Sequence, residues 1–398
     1  MITATKAFEE LIERADTKYI LLSYNNMSDK GNDRSNAKIS DEDIMRILSK
    51  KGKVIIFESD YKSFSTGKSD IKDNKERLFL CEVFSEEKKK MNIPCPFNYT
   101  GGKFKLLEQL QPLFDEKEVF LDLFAGGGNV GINSSSSKVI FNDTNENLID
   151  LIEFIKDTNT DALLKQIDNI IEAYNLSNTS LHGYSYYDCD SSRGLAEYNK
   201  GRFLKLRDDF NAKVLAGEID YPMLYVLMVF SFNNQIRFNR KGLFNLPVGK
   251  RDFNSKMRSK LVLFSEELKS KDVQFMKKDF REISLDGFSQ ETFIYCDPPY
   301  LITNATYNEN GMWTEIEEKA LLEFLDEANE KGFNFALSNV LESKNKRNDI
   351  LYNWIESKGY YCNHLNKSYS NSSYHRKNKD SISEEVLITN YSVDWRKE

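Results

Sequence analysis

Short apolar runs and amphipathic stretches alternate along the chain from about residue 94 onward. VFLDLF (119–124) reads as a buried strand running into glycines, KVIFND (138–143) as a second strand, and NENLIDLIEFIKD (145–157) as the helix that follows it. A stretch of weaker periodicity, rich in Tyr, Asn and Ser, extends to about residue 270. Regular alternation returns with VQFMKKDF (273–280), TFIYCDPPY (292–300), the helix EIEEKALLEFLDEANEKG (315–332) and the strand FNFALSN (333–339). Strands alternating with helices predict an α/β fold built on a doubly wound, mostly parallel sheet. The stretch at about 160–270 then predicts an insertion into that sheet.

The first 90 residues carry their own pattern. An amphipathic helix with Phe8, Leu11, Ile12 and Ala15 on one side is followed by KYILLSYNN (18–26), the helix SDEDIMRILSKKG (40–52), KVIIFESDYKSF (53–64) and ERLFLCEV (76–83). Near the C-terminus NFALSNV (334–340), NDILYNWIESKG (348–359), YYCNHLNKSYS (360–370) and EEVLITNYS (384–392) follow in the same order. Both series predict strand, helix, strand, polar loop, strand, so residues 1–90 form an accessory segment that echoes the C-terminal layout. EEKKKMNIPCP (86–96) reads as the linker to a second domain at 94–398.

Composition narrows the classes. With 40% hydrophobic and 29% charged residues the chain is ordinary for a globular protein, and no apolar run approaches the roughly 18 residues of a membrane span. The N-terminus lacks the layout of a secretion signal, and Cys81, Cys95, Cys189, Cys296 and Cys362 show no paired spacing, which predicts reduced thiols in a cytoplasm. His182, His364 and His375 are too few and scattered for a histidine-rich metal site, and none is expected. A net charge of −7 does not suggest nucleic acid, but charge is local. Arg237, Arg240, Lys241, Lys250, Arg251, Lys256, Arg258 and Lys260 face a lone Asp252, a run that suits either phosphate binding or a plain solvated surface.

Two turns carry the chemistry. Asp122-Leu123-Phe124-Ala125-Gly126-Gly127-Gly128 follows a strand, where glycines let the backbone turn sharply and approach a ligand. Asp143 ends the next strand, at the spacing from which a carboxylate takes ribose hydroxyls. A glycine loop alone also suits turns with no ligand. Asp297-Pro298-Pro299-Tyr300 is more specific: two prolines take the chain rigidly out of the sheet and donate no N–H. The turn therefore offers acceptors, the Asp297 carboxylate and the Pro298 carbonyl, which suit the two hydrogens of an exocyclic amine. Tyr300 adds a flat face for a base.

FNYTGGK (97–103), the glycine loop and DPPY, in this order, resemble the Dam-type family of DNA adenine-N6 methyltransferases. NNQIRFN (233–239) through GLFNLPVG (242–249) is similar to that family's hairpin in the target-recognition domain. The resemblance covers about residues 94–392 and implies a Rossmann-like methyltransferase sheet with a largely helical, hairpin-bearing recognition insertion. It implies S-adenosylmethionine as methyl donor, with Tyr99, Gly102 and Lys103 lining its methionine end and Asp122, Phe124, Ala125, Gly126 and Gly128 beneath it. Asp143 would bind the ribose, and Asp279 and Phe280 the cofactor adenine, Asp279 accepting from its amino group. Asp297, Pro298, Pro299 and Tyr300 would receive an adenine flipped out of double-stranded DNA. Asn234, Arg237, Asn239, Arg240, Lys241, Lys250 and Arg251 would contact that DNA. Leu123 departs from the proline common in relatives, which alters loop stiffness and not cofactor choice.

The same resemblance implies a modification enzyme in a prokaryotic or phage-infected cytoplasm. A cognate restriction endonuclease acting on the same site and a second methyltransferase half are the expected partners. Residues 1–90 hold neither a glycine loop nor DPPY and look like the tail of such a half, as in modification methylases that fuse two domains. Ser338 and Asn339 either border the site or are polar residues at a strand end. Rival readings are methylation of cytosine N4, where Ser more often replaces Asp297, methylation of an RNA base, and a catalytically silent DNA- or partner-binding module.

Overall fold

A computed structural model describes residues 4–15, 17–25, 39–60, 75–83, 92–97, 101–190, 192–302, 313–343, 346–365 and 384–393. The chain divides into two compact units, residues 1–91 and 92–398. Tyr99, the linker residues 86–91, His375 and the ends of two expected strands (61–64 and 366–370) lie outside the described residues.

The smaller unit runs α1 (Ala4–Arg14), β1 (Tyr19–Asn25), α2 (Asp41–Lys51), β2 (Gly52–Asp60) and β3 (Lys75–Val83). Its strands order β1-β3-β2, with β3 antiparallel to both neighbours. One sheet face carries Phe79 and Cys81, which join Ile12, Ile44, Ile47 and Leu48 of the two helices in a small core. The other face carries Tyr19, Leu21, Ile55, Phe57 and Leu78, all exposed. The expected apolar side of the first helix needs correction: Leu11 is 66% exposed and Ala15 lies past the helix end. Among the described residues the i, i+4 pair Phe8 and Ile12 joins this core, while Glu9 turns to Arg46 and Lys50 of α2.

The larger unit begins with α3 (Leu107–Leu110), β4 (Val119–Asp122), β5 (Lys138–Asn142) and α4 (Glu146–Asp157). There follow α5 (Thr160–Ala173), α6 (Thr179–His182), α7 (Ala196–Leu215), α8 (Tyr221–Phe230) and α9 (Ser255–Ser270). The chain then returns through β6 (Asp272–Met276), β7 (Thr292–Cys296), α10 (Glu315–Glu330), β8 (Asn334–Ser343) and β9 (Lys346–Arg347). It closes with α11 (Asp349–Lys358), β10 (Tyr361–Leu365) and β11 (Glu384–Thr389). The sheet orders β10-β11-β8-β7-β4-β5-β6, with β8, β7, β4, β5 and β6 parallel, β11 antiparallel to its two neighbours, and β9 paired on β8.

Alternate residues of each central strand feed two cores, as a doubly covered sheet requires. Phe120, Val139, Phe141, Phe293 and Tyr295 pack with α4, α8 and α9 residues on one side. Leu121, Ile140, Ile294, Cys296, Phe335 and Leu337 pack with α10 and α11 residues on the other. This is the α/β fold, with a mostly parallel central sheet, that the periodicity predicts. β7 is the strand TFIYC that the sequence predicts, whereas β4, announced as VFLDLF, stops at Asp122, and β5 and β6 also stop short of the runs that announced them. β7 ends at Cys296 because Pro298 and Pro299 cannot continue it; β6 ends at Met276 before a 3-10 turn at Phe280–Glu282; β5 ends at Asn142. Among the described residues no helix is long and apolar enough to cross a membrane.

The strand echo extends to topology. Apart from the two-residue β9, the last strand of residues 334–389, β11, lies between β8 and β10, antiparallel to both, as β3 lies between β1 and β2. After β11, Tyr391 ties the end of the sheet to the start of the unit. Its hydroxyl donates to the Leu113 carbonyl (2.7 Å) and accepts from the Asp115 N–H (3.1 Å). Tyr391→Phe leaves both backbone groups without this partner and is expected to cost about 1–3 kcal/mol, read as a lower urea midpoint with the far-ultraviolet dichroism unchanged.

Candidate active site

Because β6, β5, β4 and β7 are parallel neighbours, Asp279, Asp143, Asp122 and Asp297 all lie at or just beyond the same carboxyl edge. β7 pairs directly with β4, Asp122 opposite Tyr295, and the Leu123 N–H donates to the Tyr295 carbonyl at 2.9 Å. The DPPY turn is therefore one strand away from the glycine turn, at the position where ligands meet open α/β sheets.

The glycine loop is held from both ends. Gly126 and Gly128 have φ of 49° and 73°, a region that a side chain disfavours. The Asp143 carboxylate accepts from the Gly126 N–H (2.8 Å) and the Asn145 N–H (2.9 Å), so it bridges the loop to the start of α4. Burial raises its pKa, and these two N–H bonds oppose the rise. Asp122 lies beneath, 1% exposed, accepting from the Gly131 N–H at 3.0 Å. Burial pushes its carboxyl up to about 8, with the neighbouring Asp297 and Asp143 charges adding to the rise. Asn142, which sequence reading passed over, joins three strand ends by donating to the Leu123 and Lys278 carbonyls (both 3.0 Å).

Phe124 and Phe280 meet at 5.7 Å between ring centroids, and Trp313 stands edge-on to Phe124 at 5.7 Å, forming an aromatic wall beside the loop. A wall of rings next to a carboxylate and a glycine turn fits an adenosine group, apolar toward the purine and acidic toward a diol. The expected Asp279 contact is less direct. Its carboxylate takes two bonds from the Arg281 guanidinium, at 2.8 and 2.6 Å, which lower its pKa. Gly102 is exposed next to the buried Lys103.

Lys103 is 2% exposed, and its ammonium points to the DPPY turn. Its Nζ lies 2.8 Å from Asp297 Oδ1 and 3.3 Å from Glu385 Oε1, and it also donates to the Tyr300 hydroxyl and the Gly101 carbonyl. The Tyr300 hydroxyl lies 2.9 Å from Asp297 Oδ1 and 3.2 Å from Glu385 Oε1. Burial raises the Asp297 pKa, and the Lys103 ammonium opposes the rise. Among the described residues both contacts to Asp297 fall on Oδ1 and none on Oδ2. Glu385 was invisible to motif reading because it lies on β11, 88 positions after Asp297. Ser338 and Asn339 are interior: Ser338 bonds the Tyr295 hydroxyl at 2.8 Å, and Asn339 donates to Glu318 at 3.2 Å.

The expected DNA-contacting residues divide into two groups. Arg237, Arg240, Lys241, Lys250 and Arg251 are exposed, the first three on a hairpin whose strands bridge Phe238 to Phe244 and Ser231 to Val248. Asn239 instead closes that hairpin, its side-chain oxygen accepting from the Lys241 (2.8 Å) and Leu243 (3.1 Å) N–H groups. Asn234 sits at φ 53° with its amide on the Val229 carbonyl. Both asparagines are spent on turn geometry, for which asparagine suits the left-handed region and local bonds. Asp252, the lone acid of the basic run, is fully buried and accepts from Thr179 N–H (2.6 Å) and Oγ1 (2.8 Å).

The raised Asp122 pKa has a stability consequence. The folded state holds a proton that the unfolded carboxyl has lost, so stability falls as pH rises from near 4 through about 8. Asp122→Asn keeps an acceptor for Gly131 without the charge. Its urea midpoint, measured without added ligand, is expected to change less between about pH 6 and about pH 8.5 than that of the unmutated chain.

The family described as D12 class N6 adenine-specific DNA methyltransferase matches residues 99–372. Similar proteins include the type II methyltransferase M.FokI of Planomicrobium okeanokoites, 35% identical over 97% of this chain and 58% of its own length. The modification methylase StsI of Streptococcus sanguinis is 36% identical over 98% of this chain and 58% of its own. The DNA adenine methylase of Haemophilus influenzae is 30% identical over 54% of this chain and 67% of its own. The chain thus spans a little over half the length of the first two relatives. The match over the glycine turn, the DPPY turn and the insertion between them makes this chain a member of the D12 class N6 adenine-specific DNA methyltransferase family.

Proposed function

We propose that the chain methylates the N6 amine of an adenine flipped out of double-stranded DNA, as part of a modification enzyme. The observation that carries this reading is the DPPY turn, rich in acceptors and poor in donors, at the end of β7, the strand that pairs with the one ending in the glycine turn. S-adenosylmethionine, when bound, supplies a methyl group activated by a positively charged sulfur. Gly102, Phe124, Ala125, Gly126, Gly128 and Asp143 would hold it, with Phe280 and Trp313 against its purine. Tyr99 would join them by family resemblance, while Asp279 would contribute only after loosening from Arg281.

The target amine needs orientation. Its lone pair is delocalised into the ring, and acceptors on both hydrogens localise it on nitrogen. Asp297 Oδ2 and the Pro298 carbonyl are suited to that task, and Lys103 and Tyr300 fix Asp297 through Oδ1. As the new N–C bond forms and the methyl–sulfur bond breaks, the positive charge passes from sulfur to the amine, and the Asp297 carboxylate stabilises it there until the surplus proton leaves to solvent. The exposed cations Arg237, Arg240, Lys241, Lys250 and Arg251 would meet DNA, unopposed by Asp252, which is buried.

Residues 1–91 are read as the terminal part of a second methyltransferase half. Support comes from the shared strand order and pairing senses of β1-β3-β2 and β8-β11-β10. A restriction endonuclease reading the same site would be the cognate partner, in a prokaryotic cytoplasm.

Transfer of tritium from labelled S-adenosylmethionine to DNA, followed by nucleoside analysis, tests the activity and the base. N6-methyl-2′-deoxyadenosine is the expected product; N4-methyl-2′-deoxycytidine, or no transfer, refutes the reading. Asp297→Ala is expected to lower kcat at least about 100-fold while the urea midpoint stays within about 1 kcal/mol in free energy. Limited proteolysis tests the smaller unit: loss of residues 1–91 with activity intact marks a remnant, and loss of activity marks a working module.

A further inference from the structure

Glu385 lies on β11, at the point where the pairing with β8 shifts register between Glu384 and Glu385. Such an irregularity re-aims a side chain. Its carboxyl is 1% exposed and stands within 3.3 Å of Lys103 Nζ and 3.2 Å of the Tyr300 hydroxyl. A buried carboxylate costs several kcal/mol in desolvation, and a partner cation offsets this only in good geometry. Here one ammonium already faces Asp297 at 2.8 Å, so Lys103 is shared by two acids.

We propose that Glu385 is a positioning residue for methyl transfer, holding Lys103 and Tyr300 on Asp297 Oδ1 and leaving the pocket with one net negative charge. This rests on the adenine-N6 reading above. With all three ionised, Asp297, Glu385 and Lys103 sum to −1. Without Glu385 the cluster is neutral. The unreacted amine is neutral and becomes cationic only as the N–C bond forms, so the extra negative charge acts on the transition state far more than on the bound base. Holding Lys103 and Tyr300 from behind also aligns the Asp297 carboxylate, whose Oδ2 takes no bond among the described residues.

The groups that face Asp297 are Lys103, Glu385, Tyr300, Tyr295, Cys296 and Asp122. Among them Glu385 raises the Asp297 pKa by charge repulsion, and Lys103 lowers it. Neutralising Glu385 therefore moves the ionisation of Asp297 to lower pH. This separates a charge role from mere structural damage, because the two effects on rate run in opposite directions.

The experiment is the pH profile of kcat for the unmutated chain, Glu385→Gln and Glu385→Asp on DNA bearing the methylation site. Tritium transfer is measured alongside the dissociation constant of S-adenosylmethionine from tryptophan fluorescence. For Glu385→Gln the plateau is expected to fall at least about tenfold, with both KM values and that dissociation constant within about threefold. The acid limb moves to lower pH. Glu385→Asp, which keeps the charge on a shorter arm, retains the original limb and an intermediate plateau, lower by about threefold or more. An unchanged plateau in Glu385→Gln, or an acid limb that stays or rises, overturns the proposal. Should Glu385→Gln fail to fold, an unmutated kcat in Glu385→Asp overturns it alone. If the unmutated chain transfers no methyl group to DNA, the functional reading fails instead.

Discussion

Parallel pairing of β7 on β4 is the constraint on which the site depends. It joins residues about 170 positions apart and aligns Asp122 with Tyr295, so the two turns that follow emerge side by side. Beneath them Phe114, Phe120, Phe293 and Tyr295 interlock with ring centroids 5.4–6.0 Å apart. A floor of packed rings leaves the strands little freedom to slide, because interiors at this density do not deform continuously. The helices α5 to α9 occupy the chain between β5 and β6, two strands that pair with each other. An insertion of that size is compatible with the site because both its ends return to adjacent positions in the sheet.

The carboxylates along this edge are set apart by their surroundings. Asp122 is buried against backbone, with a pKa near 8, and acts as a loop support. Asp143 is divided between two N–H groups and binds loop to helix. Asp297 has the buried Lys103 ammonium beside it, which opposes the rise that burial imposes on its carboxyl. Chemically identical side chains thus take different roles through desolvation and pairing. Glu385 extends the same logic from β11, two strands from β7.

The basic hairpin shows how tertiary contacts sort a charge run. Asp252 is withdrawn into the interior by Thr179, and Arg258 is paired with Asp168. Arg237, Arg240, Lys241, Lys250 and Arg251 remain exposed. Asn234 and Asn239, expected among the DNA contacts, bond within the turn that presents them.

Much of this protein was legible in its residues. Strand-helix alternation, the glycine run and the two prolines of the DPPY turn are local signals, because each depends only on near-neighbour backbone geometry and side-chain period. They determined the sheet, the two turns and the class of chemistry. The echo of residues 18–83 in 334–392 was legible as layout for the same reason. Tertiary structure alone decided the rest. α8 is apolar on every side, with Met223 to Phe230 all buried, so it has no period to read. Leu11 was misplaced because burial depends on which helix faces which. The bonds that Asp279, Asn234 and Asn239 make to neighbouring groups were likewise not announced by any motif. Glu385 could not be placed at the site at all, since what brings it to Lys103 is the pairing of β11 with β8, a long-range contact without a local trace.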